Sequence, residues 1–254
     1  YERLTREAAA QEPQLIIWPE TSVPGYLGLE EQVTRRIQQM AIATQVPLLV
    51  GTPMARLRDA IWQQTNSAVL VSPDGTLQDR YDKLHLVPFG EFIPFESAAP
   101  WLRAILPPIG DFVPGHEDTV FIASSMRDDG RRTTDDSSLV SRPSSFLFST
   151  LICFEDLFPD LARQFVRRGA RLLVTITNDA WFGPSAAAYQ HAQASTFRAV
   201  ELGVPMVRAA NTGWSGCIDP QGRWIASVHD ARGQELFVEG AAVCEVTLGS
   251  SQTF

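Results

Sequence analysis

Cys153, Glu20 and Lys83 are three residues that together could carry out acyl transfer. Each closes a strand-like run. QLIIWPE (14–20) ends in Glu20, the strand entering YDKLHLVPFGEFIP (81–94) ends in Lys83, and FLFSTLIC (146–153) ends in Cys153. A thiolate attacks a carbonyl, a carboxylate takes the thiol proton, and an ammonium stabilises the developing oxyanion. The backbone N–H of Phe154, just after the thiol, offers a second oxyanion donor. Each residue also has a purely structural reading. A cysteine closing an apolar strand is most often core packing. Glu20, after Trp-Pro, can cap the following loop, and a lone lysine such as Lys83 is most often solvated. Cys217 and Cys244 lie in strand patterns with no acid or base signature beside them and are read as core.

Composition narrows the field. The 254 residues suffice for one domain, spanning 1–254, and 44% hydrophobic with 20% charged residues is an ordinary globular balance. A net charge of −8 argues against nucleic acid as partner, since phosphate binding needs clustered Lys and Arg. Three cysteines are an odd, sparse set, not a disulfide framework, and leave at least one thiol free. No HExxH or CxxC occurs around the four histidines, so no metal site is expected and no cofactor is implied. No apolar run spans a bilayer and no signal peptide is visible. YERLTREAAA reads as the middle of a helix, so residues are expected to be missing before Tyr1.

The elements that must position the three groups follow from periodicity. Helices are expected at 1–11, 29–45, 99–106, 159–169 and 185–203. The helix from 159 has Pro159 near its start and Gly169 as its stop. Strands are expected at 14–20, 47–53, 119–123, 146–153, 171–178 and 205–211, in SGCIDPQGRWIASV around a turn at 220–222, and at 241–248. Residues 66–83 form a hairpin turning at Pro73-Asp74-Gly75. The polar stretch 124–145 is expected to be a mobile insertion between two strands. Hairpins interrupt the strand–helix alternation. That pattern suits an α/β fold of two packed mixed sheets with helices outside, a four-layer α-β-β-α sandwich.

These motifs resemble the carbon–nitrogen hydrolase (nitrilase) superfamily and, within it, the bacterial apolipoprotein N-acyltransferases. WPETSVP (18–24), YDKLHLVPFGEFIP (81–94) and LICFED (151–156) resemble the glutamate, lysine and cysteine segments of that family. NDAWFG (178–183), FRAVELGVPMVRAANTG (197–213) and IDPQG (218–222) continue the likeness along nearly the whole chain. The resemblance implies Glu20 as general base, Lys83 as oxyanion stabiliser and Cys153 as nucleophile. It implies that Glu91 supports the lysine and that Glu155 helps hold the site. It also implies that Trp181 and Phe182 belong to a lid over an acyl chain. The implied reaction moves an acyl chain from phospholipid to the N-terminal diacylglyceryl-cysteine of a lipoprotein through a Cys thioester. The implied place is the bacterial inner membrane, with the catalytic domain facing the periplasm and in contact with the membrane surface.

The apolar stretch 85–112, with Phe89, Phe92, Phe95, Trp101 and Ile105, is expected either to face lipid or to pack between layers. The sequence departs from the family in three ways. The usual first strand and flanking membrane helices are absent, 124–145 is long, and Phe154 stands where many members carry tyrosine. The competing reading is a soluble amidohydrolase of the same superfamily, cleaving a small amide with water as acceptor. A catalytically silent binding domain is disfavoured by the presence of all three reactive residues.

Overall fold

The computed structural model describes residues 1–58, 60–96, 101–105, 111–128 and 143–249. Two mixed sheets form its centre. The first has the order β1 (Ile16–Ile17), β2 (Leu48–Arg58), β3 (Ile61–Val71) and β4 (Leu77–Asp82). The second runs β10 (Trp224–Ser227), β9 (Gly216–Ile218), β8 (Met206–Asn211), β7 (Leu172–Asn178), β6 (Pro143–Ile152) and β5 (Phe121–Asp128). The parallel pairs are β1–β2, β6–β7 and β7–β8.

Period-two alternation explains how the layers stack. In β2 and β3, Leu48, Val50, Val69 and Val71 pack with Ile37, Met40 and Ala41 of α2 (Glu31–Thr44). Leu49, Ala68 and Leu70, the residues between them, join Phe148, Leu151 and Val174 of the second sheet in one core. That core continues to Leu161 and Phe165 of α4 (Pro159–Arg167) and to Ala192 and Ala199 of α5 (Ala187–Leu202). Burying each large aliphatic or phenyl side chain contributes about 1.5–3 kcal/mol. With α1 (Glu2–Ala9) beside α2, the layers run helix, sheet, sheet, helix, as the sequence pattern implied.

The hairpin turns where expected. Asp74 Oδ1 accepts from the Thr76 N–H at 2.9 Å, and the Gly75 N–H donates to Ser72 O at 2.8 Å.

Four expectations need correction. The strand expected at 14–20 shrinks to Ile16–Ile17, because Pro19 has no N–H to give a ladder and Thr21 turns the chain at φ 48°. The strand expected at 47–53 and the hairpin expected at 66–83 are longer, since β2 and β3 stay paired from Leu48↔Val71 out to Arg58↔Ile61. Residues 241–248 alternate like a strand but form none among the described residues. Cys217 and Cys244, read as core thiols, form a disulfide that ties β9 to this C-terminal segment, leaving Cys153 free.

The expected insertion 124–145 is partly strand, since β5 reaches Asp128 and β6 begins at Pro143. Residues 129–142 lie outside the described residues, as do 97–100 and 106–110 of the stretch 85–112. The helix expected at 99–106 is seen as α3 (Leu102–Ile105). Among the described residues, no helix is long and apolar enough to cross a membrane.

Candidate active site

The three strand ends do meet. Glu20 follows β1, Lys83 follows β4 and Cys153 follows β6, and all three take part in one another's electrostatics. Each is set in place by its backbone. Gly51 of β2 lies against the Glu20 backbone: a Cβ there would sit 2.3 Å from Pro19 O and 2.6 Å from Glu20 Cα. Only glycine lets the carboxylate strand come so close. Lys83 is pinned by its N–H, which donates to Asn66 O at 2.8 Å, and by its carbonyl, which accepts from the Gly115 N–H at 2.8 Å. Cys153 opens a 3-10 turn, Cys153–Leu157, with φ 54°. A left-handed backbone at a non-glycine residue is held only by its surroundings.

The side chains form a buried cluster. Lys83, 1% exposed, places Nζ 2.9 Å from Glu91 Oε2 and 3.7 Å from Glu20 Oε1. Asn66 Nδ2 donates to Glu20 Oε1 at 2.6 Å and to Glu91 Oε1 at 2.8 Å, bridging the two acids. The Asn178 N–H donates to Glu20 Oε2 at 2.7 Å, and the Val87 N–H to Glu91 Oε2 at 2.8 Å.

Glu155 links the lysine and cysteine segments. Its Oε1 accepts from Tyr81 Oη at 2.8 Å, the Leu84 N–H at 2.7 Å and the His85 N–H at 3.0 Å. Its Oε2 accepts from the Ile152 N–H at 2.9 Å. Burial pushes this carboxyl up to about 7, while the surrounding donors favour its charged form.

Burial is also the largest single influence on Cys153, Glu20 and Lys83. It pushes the Cys153 thiol up to about 12, reinforced by Glu20 and opposed by Lys83 and a hydrogen bond with Thr177. It raises the Glu20 carboxyl above its usual range, against Lys83 and Asn66. For Lys83, burial works against the charge, but Glu20, Cys153 and Glu91 outweigh it and lift the ammonium above its usual value. The result is a protonated thiol near a carboxylate with raised proton affinity and a fixed cation. Such a set can pass a proton from sulfur to carboxylate and hold a developing oxyanion against the ammonium.

The other expected residues are more peripheral. Phe154 is half-buried, its ring edge-on to Phe158 at 5.4 Å, and Phe158 stacks on His85 at 4.2 Å. Trp181 and Phe182 occupy a 3-10 turn, Asp179–Phe182, with Trp181 81% exposed and the Phe182 ring against His191. Of the apolar stretch, Phe89, Phe95, Trp101 and Ile105 are exposed while Ile93 is buried.

Sequence reasoning missed Asn66, Tyr81 and the Asn178 N–H. Asn66 and Tyr81 looked like ordinary hairpin residues, and their only signal was a polar group in a strand too apolar to leave it unpaired. Among the described residues there is no group of three or more His, Cys, Asp and Glu side chains that could hold a metal ion.

The carbon-nitrogen hydrolase family model matches residues 1–240. An apolipoprotein N-acyltransferase from Geobacter metallireducens is 41% identical, over 100% of this chain and 44% of its own length. Apolipoprotein N-acyltransferase 2 of Treponema denticola is 32% identical over 93% of this chain and 44% of its own. The chain thus spans less than half the length of these curated relatives. Among solved structures, an amidase mutant from Nesterenkonia sp. AN1 superposes with a TM-score of 0.59 at 19% identity. The match covers 89% of this chain and 77% of that one. That amidase carries the acetamide moiety of fluoroacetamide on its active-site cysteine.

Proposed function

Because the chain belongs to the carbon–nitrogen hydrolase family, we propose that it is the catalytic domain of an apolipoprotein N-acyltransferase. It takes an acyl chain from a phospholipid onto Cys153 and passes it to the N-terminal amine of a diacylglyceryl-cysteine lipoprotein. The observation that carries this reading is the 41% identity along the whole chain, together with a buried Glu–Lys–Cys cluster.

In the first half-reaction Glu20 takes the thiol proton and the sulfur attacks the ester carbonyl. Lys83 and the Phe154 N–H stabilise the oxyanion. The alcohol of the lysophospholipid leaves with the proton returned by Glu20, and the acyl chain remains as a thioester. In the second, the lipoprotein amine attacks that thioester and gives a proton to Glu20. The Cys153 thiolate leaves and is reprotonated. Glu91 holds the Lys83 ammonium, and Glu155 fixes the segments that carry Lys83 and Cys153. Splitting the transfer divides one hard step into two easier ones.

Exposed Phe89, Phe95 and Trp101 near the lysine segment, with Trp181 and Phe182, supply an apolar surface for lipid. The Cys217–Cys244 disulfide supports an oxidising compartment, in keeping with a domain on the periplasmic side of the inner membrane.

The test is the intact mass of the protein after incubation with phospholipid in detergent, beside Cys153→Ala. The expected result is one acyl chain added, removed by hydroxylamine and absent from the control. Turnover of small amides with no acyl adduct would replace this reading with an amidohydrolase.

A further inference from the structure

Glu155 ties the cysteine segment to the lysine segment. A separate buried group ties it to the segment of the base. Arg208 of β8 sets its guanidinium between the two 3-10 turns. Nη1 donates to Asp156 Oδ2 at 2.8 Å and Nη2 to Asp179 Oδ2 at 3.2 Å. Asp156 belongs to the turn that Cys153 opens, and Asp179 opens the next turn, directly after Asn178. The Asn178 N–H is the group that donates to Glu20 Oε2 at 2.7 Å. One planar cation therefore completes a path from nucleophile to base, running Cys153, Asp156, Arg208, Asp179, Asn178, Glu20.

Each member of this path is held from the side. The Arg208, Asp156 and Asp179 side chains are fully buried. Ser195 Oγ of α5 donates to Asp156 Oδ2 at 2.8 Å and accepts from Arg208 Nη1 at 3.1 Å. Arg198 Nη1 donates to the Asp156 carbonyl at 3.0 Å, and Thr177 Oγ1 to Asp179 Oδ1 at 3.0 Å. Gly213 makes room for Asp179, since a Cβ there would lie 2.0 Å from its Oδ2. His191 fills the remaining side: Nδ1 lies 2.8 Å from Arg208 Nη2 and 2.9 Å from Asp179 Oδ1, and Nε2 lies 3.3 Å from the Cys153 carbonyl oxygen. The two arms of a guanidinium have a fixed spread, so Arg208 fixes the distance between the two acids. A lysine would bring the same charge without the fork.

We propose that Arg208 is a positioning residue that sets the separation of Glu20 from Cys153, and with it the transfer of the thiol proton. Proton transfer needs the two groups within hydrogen-bond reach, and a displacement of about 1 Å can slow a reaction about a hundredfold. The proposal rests on the reading of Cys153 as nucleophile and Glu20 as base, but not on the identity of the acyl donor.

The experiment is a double-mutant cycle, read by alkylation of Cys153 with iodoacetamide. Arg208→Lys should slow alkylation about tenfold or more when Glu20 is present. Beside Glu20→Gln it should change the rate by less than about twofold, because no base is left to misplace. In thioester formation from phospholipid, Arg208→Lys should lower kcat and leave KM unchanged. Alkylation at the wild-type rate by a folded Arg208→Lys protein overturns the proposal. An equal loss in both backgrounds also overturns it, since that is what a general loosening of the fold would give.

Should Arg208→Lys not fold, Asp179→Asn decides, because it weakens the same path at its next member. A loss with Glu20 present that vanishes beside Glu20→Gln supports the role, and an undiminished rate or an equal loss overturns it. Glu20→Gln alkylating as fast as wild type would remove Glu20 as base and this proposal with it. A loss that depends on Glu20, in a protein that never forms a thioester, would leave the proposal standing and remove the acyltransferase reading.

Discussion

The thiol sits between two buried charged clusters of different construction. Glu20, Glu91 and Lys83 sum to one negative charge, and a neutral amide, Asn66, fills the gap between the acids. In the second cluster Asp156 and Asp179 share Arg208 and lie against the ring nitrogens of His191. The unbalanced cluster has raised proton affinity at Glu20 and can accept a proton during a reaction. The second holds its acids with Arg208 and Ser195 at hydrogen-bond distance, so it serves as a mount.

Three changes would break or sharpen this contrast. Glu20→Gln keeps the shape and removes the base, so thioester formation in a single turnover should fall by about 10²–10⁴ with the circular dichroism spectrum unchanged. A variant as fast as wild type would erase the distinction. Arg208→Met leaves two buried carboxylates with only His191 to answer them. It should lower unfolding stability by about 3–5 kcal/mol in urea, as breaking a buried pair does. An unaltered urea midpoint would mean that the second cluster is no mount.

The smallest effect is one of pH. The proton on His191 is held to about 9 in the fold, against an ordinary value near 6.5. Its stabilisation is therefore complete below about 6.5 and is lost as pH rises through about 9. The urea midpoint of the wild type should fall across that window, and that of His191→Gln should fall less.

The cluster around Lys83 was legible in the sequence, and the one around Arg208 was not. Glu20, Lys83 and Cys153 each interrupt an apolar run, and a charged or reactive group at the end of a buried strand stands out. His191 lies in a small-residue helix and Arg208 in a short strand, with nothing in the order of residues to say that they meet. The Cys217–Cys244 bond was hidden for the same reason, because pairing depends on where β9 and the C-terminal segment run. The outer part of the β2–β3 hairpin escaped notice because Arg56, Arg58, Gln63 and Gln64 do not alternate as a half-buried strand should. Residues 241–248 mislead in the opposite sense, since they alternate but form no strand among the described residues.

Glu155 has one further consequence. Its two oxygens hold Ile152 on one side and Leu84 with His85 on the other, residues about seventy apart in the chain. Thermal drift of the lysine and cysteine segments is thereby correlated: when one moves, the same carboxylate carries the other with it. An error at Glu155 is shared by the Lys83 and Cys153 segments, and no compensating change near only one of them can restore their alignment.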